Sequence, residues 1–96
     1  MVKATVDGVV VAESEQTVVV EGNHYFPPEA VKWEHFTENT NHTVCPWKGV
    51  ASYYDVRANG KQLESAAWTY PEPSRAATRI GKYVAFYKHM VKIEQG

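Results

Sequence analysis

Two local turn signals, Asp7-Gly8 and Asn59-Gly60, each separate runs rich in β-branched and aromatic residues, and they constrain this chain more than any other feature. Asp, Asn and Gly accept the positive φ angles that a two-residue hairpin turn demands, whereas β-branched side chains suit a pleated surface. The pattern predicts one hairpin of residues 3–6 with 9–12, and another of residues 50–58 with 61–63. Residues 17–21, Thr-Val-Val-Val-Glu, predict a third strand that turns the first hairpin into a meander. Residues 31–34, Val-Lys-Trp-Glu, alternate apolar with charged and predict a half-buried strand with Trp33 inward. Pro27-Pro28 has no amide hydrogen to donate, so residues 22–30 read as a connection, with one helical turn as an option. Residues 37–49 lack periodicity and read as a long loop.

Residues 66–70 extend the returning strand of the second hairpin until Pro71-Glu72-Pro73 stops it. Ser74 is placed to cap a helix over 75–80 that ends at Gly81, a residue suited to positive φ. Residues 83–87 and 90–94 read as one bent strand or two short ones. The expected class is mainly β: a small antiparallel meander or hairpin sheet, or a sandwich-like domain, with one short helix near the C-terminus. A length of 96 residues predicts one domain over 1–96. The longest apolar or aromatic run, Tyr83 to Tyr87, falls far short of a membrane helix, so no membrane partner is expected. The opening residues carry no export signal, which predicts a cytoplasmic location. One cysteine, Cys45, excludes an internal disulfide.

Several strings together resemble one family: G-N-H-Y-F-P-P-E at 22–29, H-T-V-C-P-W-K-G at 42–49, A-S-Y-Y at 51–54, A-A-W-T-Y-P-E-P-S at 66–74 and Y-V-A-F-Y at 83–87. This is similar to the bacterial and archaeal family catalogued as domain of unknown function 427. The resemblance implies a small, β-rich protein without an assigned activity, sometimes filed under a nucleotidyltransferase label. That label asks for paired carboxylates beside a Gly-Ser turn, to hold a divalent metal against phosphates. The chain has only Asp7 and Asp55 as aspartates and no Gly-Ser step. The label is therefore discounted, with convergence of distant carboxylates in space left open.

The family-like strings also hold most of the aromatic residues. Tyr and Trp combine a flat apolar face with one hydrogen-bonding tip, so several converging beside a charge suit a small planar or cationic ligand. The expected ligand site comprises His24, Tyr25, Trp47, Lys48, Tyr53, Trp68, Tyr70 and Glu72; the bland alternative is that these rings only fill a thin core. Tyr53 and Tyr54 are adjacent, so at most one faces a given pocket. An enzymatic alternative makes Cys45 a nucleophile whose thiolate is favoured by Lys48, with His24 or His42 as base. His42 and Cys45 also form H-x-x-C, and His24 and His35 could complete a zinc tetrahedron; a second spaced pair is missing, and no metal is assigned. The cofactor is left unassigned.

Charge is uneven: residues 1–73 carry five Lys or Arg against ten acids, and 74–96 carry five against one. Arg75, Arg79 and Lys82 would form a small cationic patch on the helix. The overall charge of -1 nevertheless argues against a nucleic-acid partner. Unpaired edges in so small a sheet make a homodimer an option. An interaction module, with Trp47 and Trp68 on a flat exposed patch, is the remaining reading.

Overall fold

Both predicted turns form. In the computed structural model, which describes residues 1–96, strand β1 (Val2–Val6) pairs antiparallel with β2 (Val9–Ser14), and Asp7 and Gly8 adopt φ of 49° and 79°. Strand β6 (Gly49–Ala58) pairs likewise with β7 (Lys61–Thr69) across Asn59 and Gly60, at φ 51° and 77°. A further hairpin joins β3 (Val18–Val20) to β4 (Asn23–Tyr25). Strands β5 (Phe36–Cys45), β8 (Val84–Phe86) and β9 (Lys92–Gln95) complete the set. The strand orders are β2-β1-β9, β3-β4 and β5-β6-β7-β8. Just beyond β4, Phe26 exchanges backbone hydrogen bonds with Val84 at 2.8 and 2.9 Å, which ties the β3–β4 hairpin to the β8 edge of the four-stranded sheet. No helix is long and apolar enough to cross a membrane.

Side-chain alternation along the four-stranded sheet builds a core on each face. One contains Val56, Ala67 and Phe86 with Phe26, and packs on Ala4, Val6 and Val11 of the three-stranded sheet. The other contains Tyr53, Trp68 and Ala85 with Tyr25, Tyr70, Ala77 and Ile80, and lies under the β3–β4 hairpin and residues 75–80. Neighbours in the chain are thus divided: Tyr53 belongs to one core while Tyr54 packs on the other, as the two-residue strand period requires.

Five expectations are corrected. The expected connection over residues 22–30 contains β4, whose His24 and Tyr25 pair with Val19 and Val18. The third strand does not extend a meander, because β3 pairs with β4, and the outer edge of β2 is met instead by Val31 and Lys32. Residues 31–34 are not a strand. Trp33–His35 is a 3-10 turn, and Trp33, expected inward, is 41% exposed with its indole N–H donated to the Pro28 carbonyl. The expected loop over 37–49 is mostly β5, an edge strand exposed along nearly its whole length, so no apolar alternation marks it. The C-terminal helix is absent. Arg75–Ile80 forms 3-10 turns kinked at Ala77, and 3-10 turns also occur at Pro28–Ala30 and Trp33–His35. Ser74 gives its hydroxyl to the Trp47 carbonyl instead of capping, and Gly81 has a φ of -55°. Glycine is needed there because a Cβ would stand 2.9 Å from the Pro73 ring.

Candidate functional site

The middle of β6 is flanked by irregularities on both neighbours, and a broad concavity lies beside them over the sheet. Glu38 pairs with Tyr54 and His42 with Ser52, so β5 uses four residues where β6 uses two. Tyr54 pairs with Ala67 and Val56 with Leu63, so β7 does the same. Asp55 ties the two bulges together. Its carboxylate accepts from the Ser65 amide at 2.9 Å and from Asn39 Nδ2 at 2.7 Å, while Ser65 Oγ accepts from Asn39 and Asn41. The Ser65 amide, followed by Asn39, holds the Asp55 carboxyl below the usual carboxylate range.

Beside this knot lies a groove of ≈580 Å³, bounded by Glu38, Asn39, Thr40 and His42 of β5, by Ser52, Tyr53 and Tyr54 of β6, and by Thr69, Pro71, Pro28, Trp33 and Lys82. His42, Ser52 and Thr69 stand opposite one another on three successive strands, which makes a polar row across the sheet. Ser52 Oγ and His42 Nδ1 are 3.4 Å apart. Two residues along β6, Tyr54 meets Trp33 edge to face at 5.4 Å. Burial, reinforced by the Glu38 carboxylate, pushes the Tyr54 phenol pKa up. Thr69 is 5% exposed, and its hydroxyl is buried with no hydrogen-bond partner. Such an orphan is uncommon, since an unpaired buried polar group costs on the order of 1–3 kcal/mol.

Most of the expected ligand residues gather on the opposite face, in the second core. Trp68 donates its indole N–H to the Tyr25 hydroxyl at 3.1 Å, and Tyr87 packs at 4.6 Å from Trp68. Lys48 is only 7% exposed. Its ammonium bonds to Glu21 and stands 5.4 Å from the Trp47 ring and 5.5 Å from the Tyr70 ring. Burial works against the Lys48 charge, but the Glu21 hydrogen bond and neighbouring tyrosines outweigh it and raise the pKa. The aromatic group is thus occupied by the protein's own cation. Trp47 and Glu72 lie at the surface, and Tyr53 alone among the expected ligand residues also borders the groove.

The remaining candidates are dispersed. His24 shares Nδ1 with Thr17 Oγ1 at 2.7 Å and Nε2 with the Gln95 side chain at 2.5 Å. Cys45 packs against the second core, whereas His42, three residues away on the same strand, opens to the groove on the other face. No three His, Cys, Asp or Glu side chains converge in a way that could hold a metal ion. Asp7 pairs with Lys61, and Asp55 is engaged in the bulge knot. Arg75 and Arg79 do not lie on one continuous helix, because the 3-10 turns that carry them are broken at Ala77, where φ is -123°.

The family model described as a domain of unknown function (DUF427) matches residues 1–95, nearly the whole chain. This chain belongs to the DUF427 family. No curated protein matches it significantly. Within this DUF427 protein, sequence reasoning missed Ser52, Thr69, Lys82 and Glu38 as groove residues. Ser52 and Thr69 were detectable in principle, for each is the polar neighbour of a buried ring, Tyr53 or Trp68, and must face the other way. The missing partner of Thr69 carries no sequence signal.

Proposed function

We propose that this DUF427 protein binds a small molecule, and that the site is the groove over β5, β6 and β7. The observation that carries the reading is the groove itself, with Thr69, whose buried hydroxyl has no hydrogen-bond partner within the protein, in its wall. Its support comes from the groove volume of ≈580 Å³, which suits a compact metabolite, and from the convergence of rings with a few polar groups. Of the residues expected from sequence, Tyr53 serves in the groove wall. Tyr25, Lys48, Trp68 and Tyr70 act beneath it, as the packed layer that keeps the β6–β7 floor rigid. We further read residues 1–96 as one folding unit acting in the cytoplasm.

Thermal-shift screening of a metabolite library tests the proposal. A binder at 100 times its Kd adds about 2.7 kcal/mol of stability. Thr69→Val, which keeps the shape and removes the hydroxyl, is expected to weaken that binder about tenfold, in line with about 1.4 kcal/mol for one buried hydrogen bond. A library without a single binder, or a binder indifferent to Thr69→Val, would count against the groove.

A further inference from the structure

We infer that the groove selects a small planar ligand bearing a carboxylate, with its ring against Trp33 and Tyr54 and its carboxylate at the Thr69 and Lys82 end; this rests on the binding role proposed above. The two ends of the groove differ in chemistry. Trp33 and Tyr54 form an aromatic corner, their centroids 5.4 Å apart and inclined at 64°, beside the acidic Glu38, which pairs with Tyr54 in the strand register. Two residues back along β6, roughly 7 Å away by strand geometry, the row of His42, Ser52 and Thr69 offers hydrogen-bonding groups, each able to donate to an anion, and no negative charge.

Lys82 completes that end. Its amide donates to the Tyr70 carbonyl at 3.0 Å, directly after Thr69 in β7, so its backbone is anchored beside the unpaired hydroxyl. It also holds a left-handed φ of 66°, a conformation uncommon for a lysine. Lys82 is the only formal cation on the groove wall, and Glu38 is the only formal anion, at the opposite end. A carboxylate entering with the reverse orientation would meet Glu38. A ligand cation would be drawn to Glu38 but would place an unsatisfied apolar or cationic end at Thr69 and Lys82. Ring area and a single negative charge, separated by about one strand repeat, match the arrangement.

The test uses the whole protein with three probes of one shape: phenylacetate, phenylacetamide and phenethylamine, followed through backbone amide shifts in two-dimensional NMR. Phenylacetate is expected to perturb Ser52, Thr69 and Lys82 and to bind at least fivefold more tightly than the amide or the amine. Lys82→Gln should erase that preference. Lys88→Gln removes the same charge from a side chain engaged with the Gly22 carbonyl, away from the groove, and should preserve it. Trp33→Ala should weaken all binding without changing the preference. Equal or tighter binding of phenylacetamide or phenethylamine overturns the inference, as does an unchanged preference in Lys82→Gln or no binding of phenylacetate at 10 mM. A library binder of another charge class that still needs Thr69 would leave the groove standing and remove only its anion selectivity, whereas a silent library would remove both.

Discussion

Lys48 shows how one side chain can settle what an aromatic cluster does. A lysine beside Trp47, Tyr70 and Tyr25 reads from sequence as the charged member of a ligand pocket, yet its own ammonium takes the place among the rings. The pair with Glu21 is asymmetric: Lys48 is buried while Glu21 is half exposed. Taking away the acid strands a buried charge, but taking away the lysine with a shape-preserving residue leaves an exposed carboxylate that water can solvate. Lys48→Met is therefore expected to stay within about 1 kcal/mol of the parent, and Glu21→Gln to be the more destabilising change. Urea midpoints at pH 7 measure both. The reverse order would mean that the cage depends on the charge and not on the packing of the lysine stem.

Among the elements, β6 decides the outcome, because β5 bulges opposite Tyr53 and β7 opposite Asp55, on either side of Tyr54. Asp55 has a lowered folded pKa, so its contribution is present above the unfolded value near 3.9 and is lost as pH falls through the folded one. Asp55→Ala is expected to cost on the order of 1 kcal/mol near neutral pH, reduced by solvent access, and the gap between variant and parent should shrink below pH 4. Urea melts at pH 7 and pH 3 provide the comparison. Hairpins were legible in the chain because turn chemistry is local, and Asp7-Gly8 and Asn59-Gly60 need no distant partner. Strand β5 was not legible. Its side chains are exposed on both faces, and the Thr-Glu-Asn-Thr-Asn-His composition that keeps an edge from aggregating is the same one that marks a loop. The groove was half legible: strand parity assigns Ser52 and Thr69 to one face, but the bulges that open it come from a pairing mismatch between consecutive strands, which turn chemistry and apolar alternation do not encode.

Across the whole molecule, the sheet carries a core on either side, and the tyrosines in and around those cores set its alkaline limit. Tyr54 and Tyr70 are raised mainly by burial, and Tyr87 is pushed up to about 12, first by its hydrogen bond with Tyr53 and then by burial. Unfolded tyrosine ionises near pH 10. Above that point the folded state holds more protons than the unfolded one, so stability is fully present below pH 10 and declines as pH rises. Phenolate absorbance and circular dichroism followed together from pH 9 to 12.5 should show Tyr54, Tyr70 and Tyr87 ionising together with the loss of structure; ionisation of these three near pH 10 without loss of structure would contradict the burial described. The arrangement of β1 has a mechanical side as well. It lies between β2 and β9, with Val2 facing Gln95 and Lys3 facing Glu94. Both ends of the polypeptide thus leave from the same end of one antiparallel ladder, and a force tugging them apart would peel that seam open rung by rung. The packing of the two cores would offer little resistance to such traction, because the rungs are loaded one at a time.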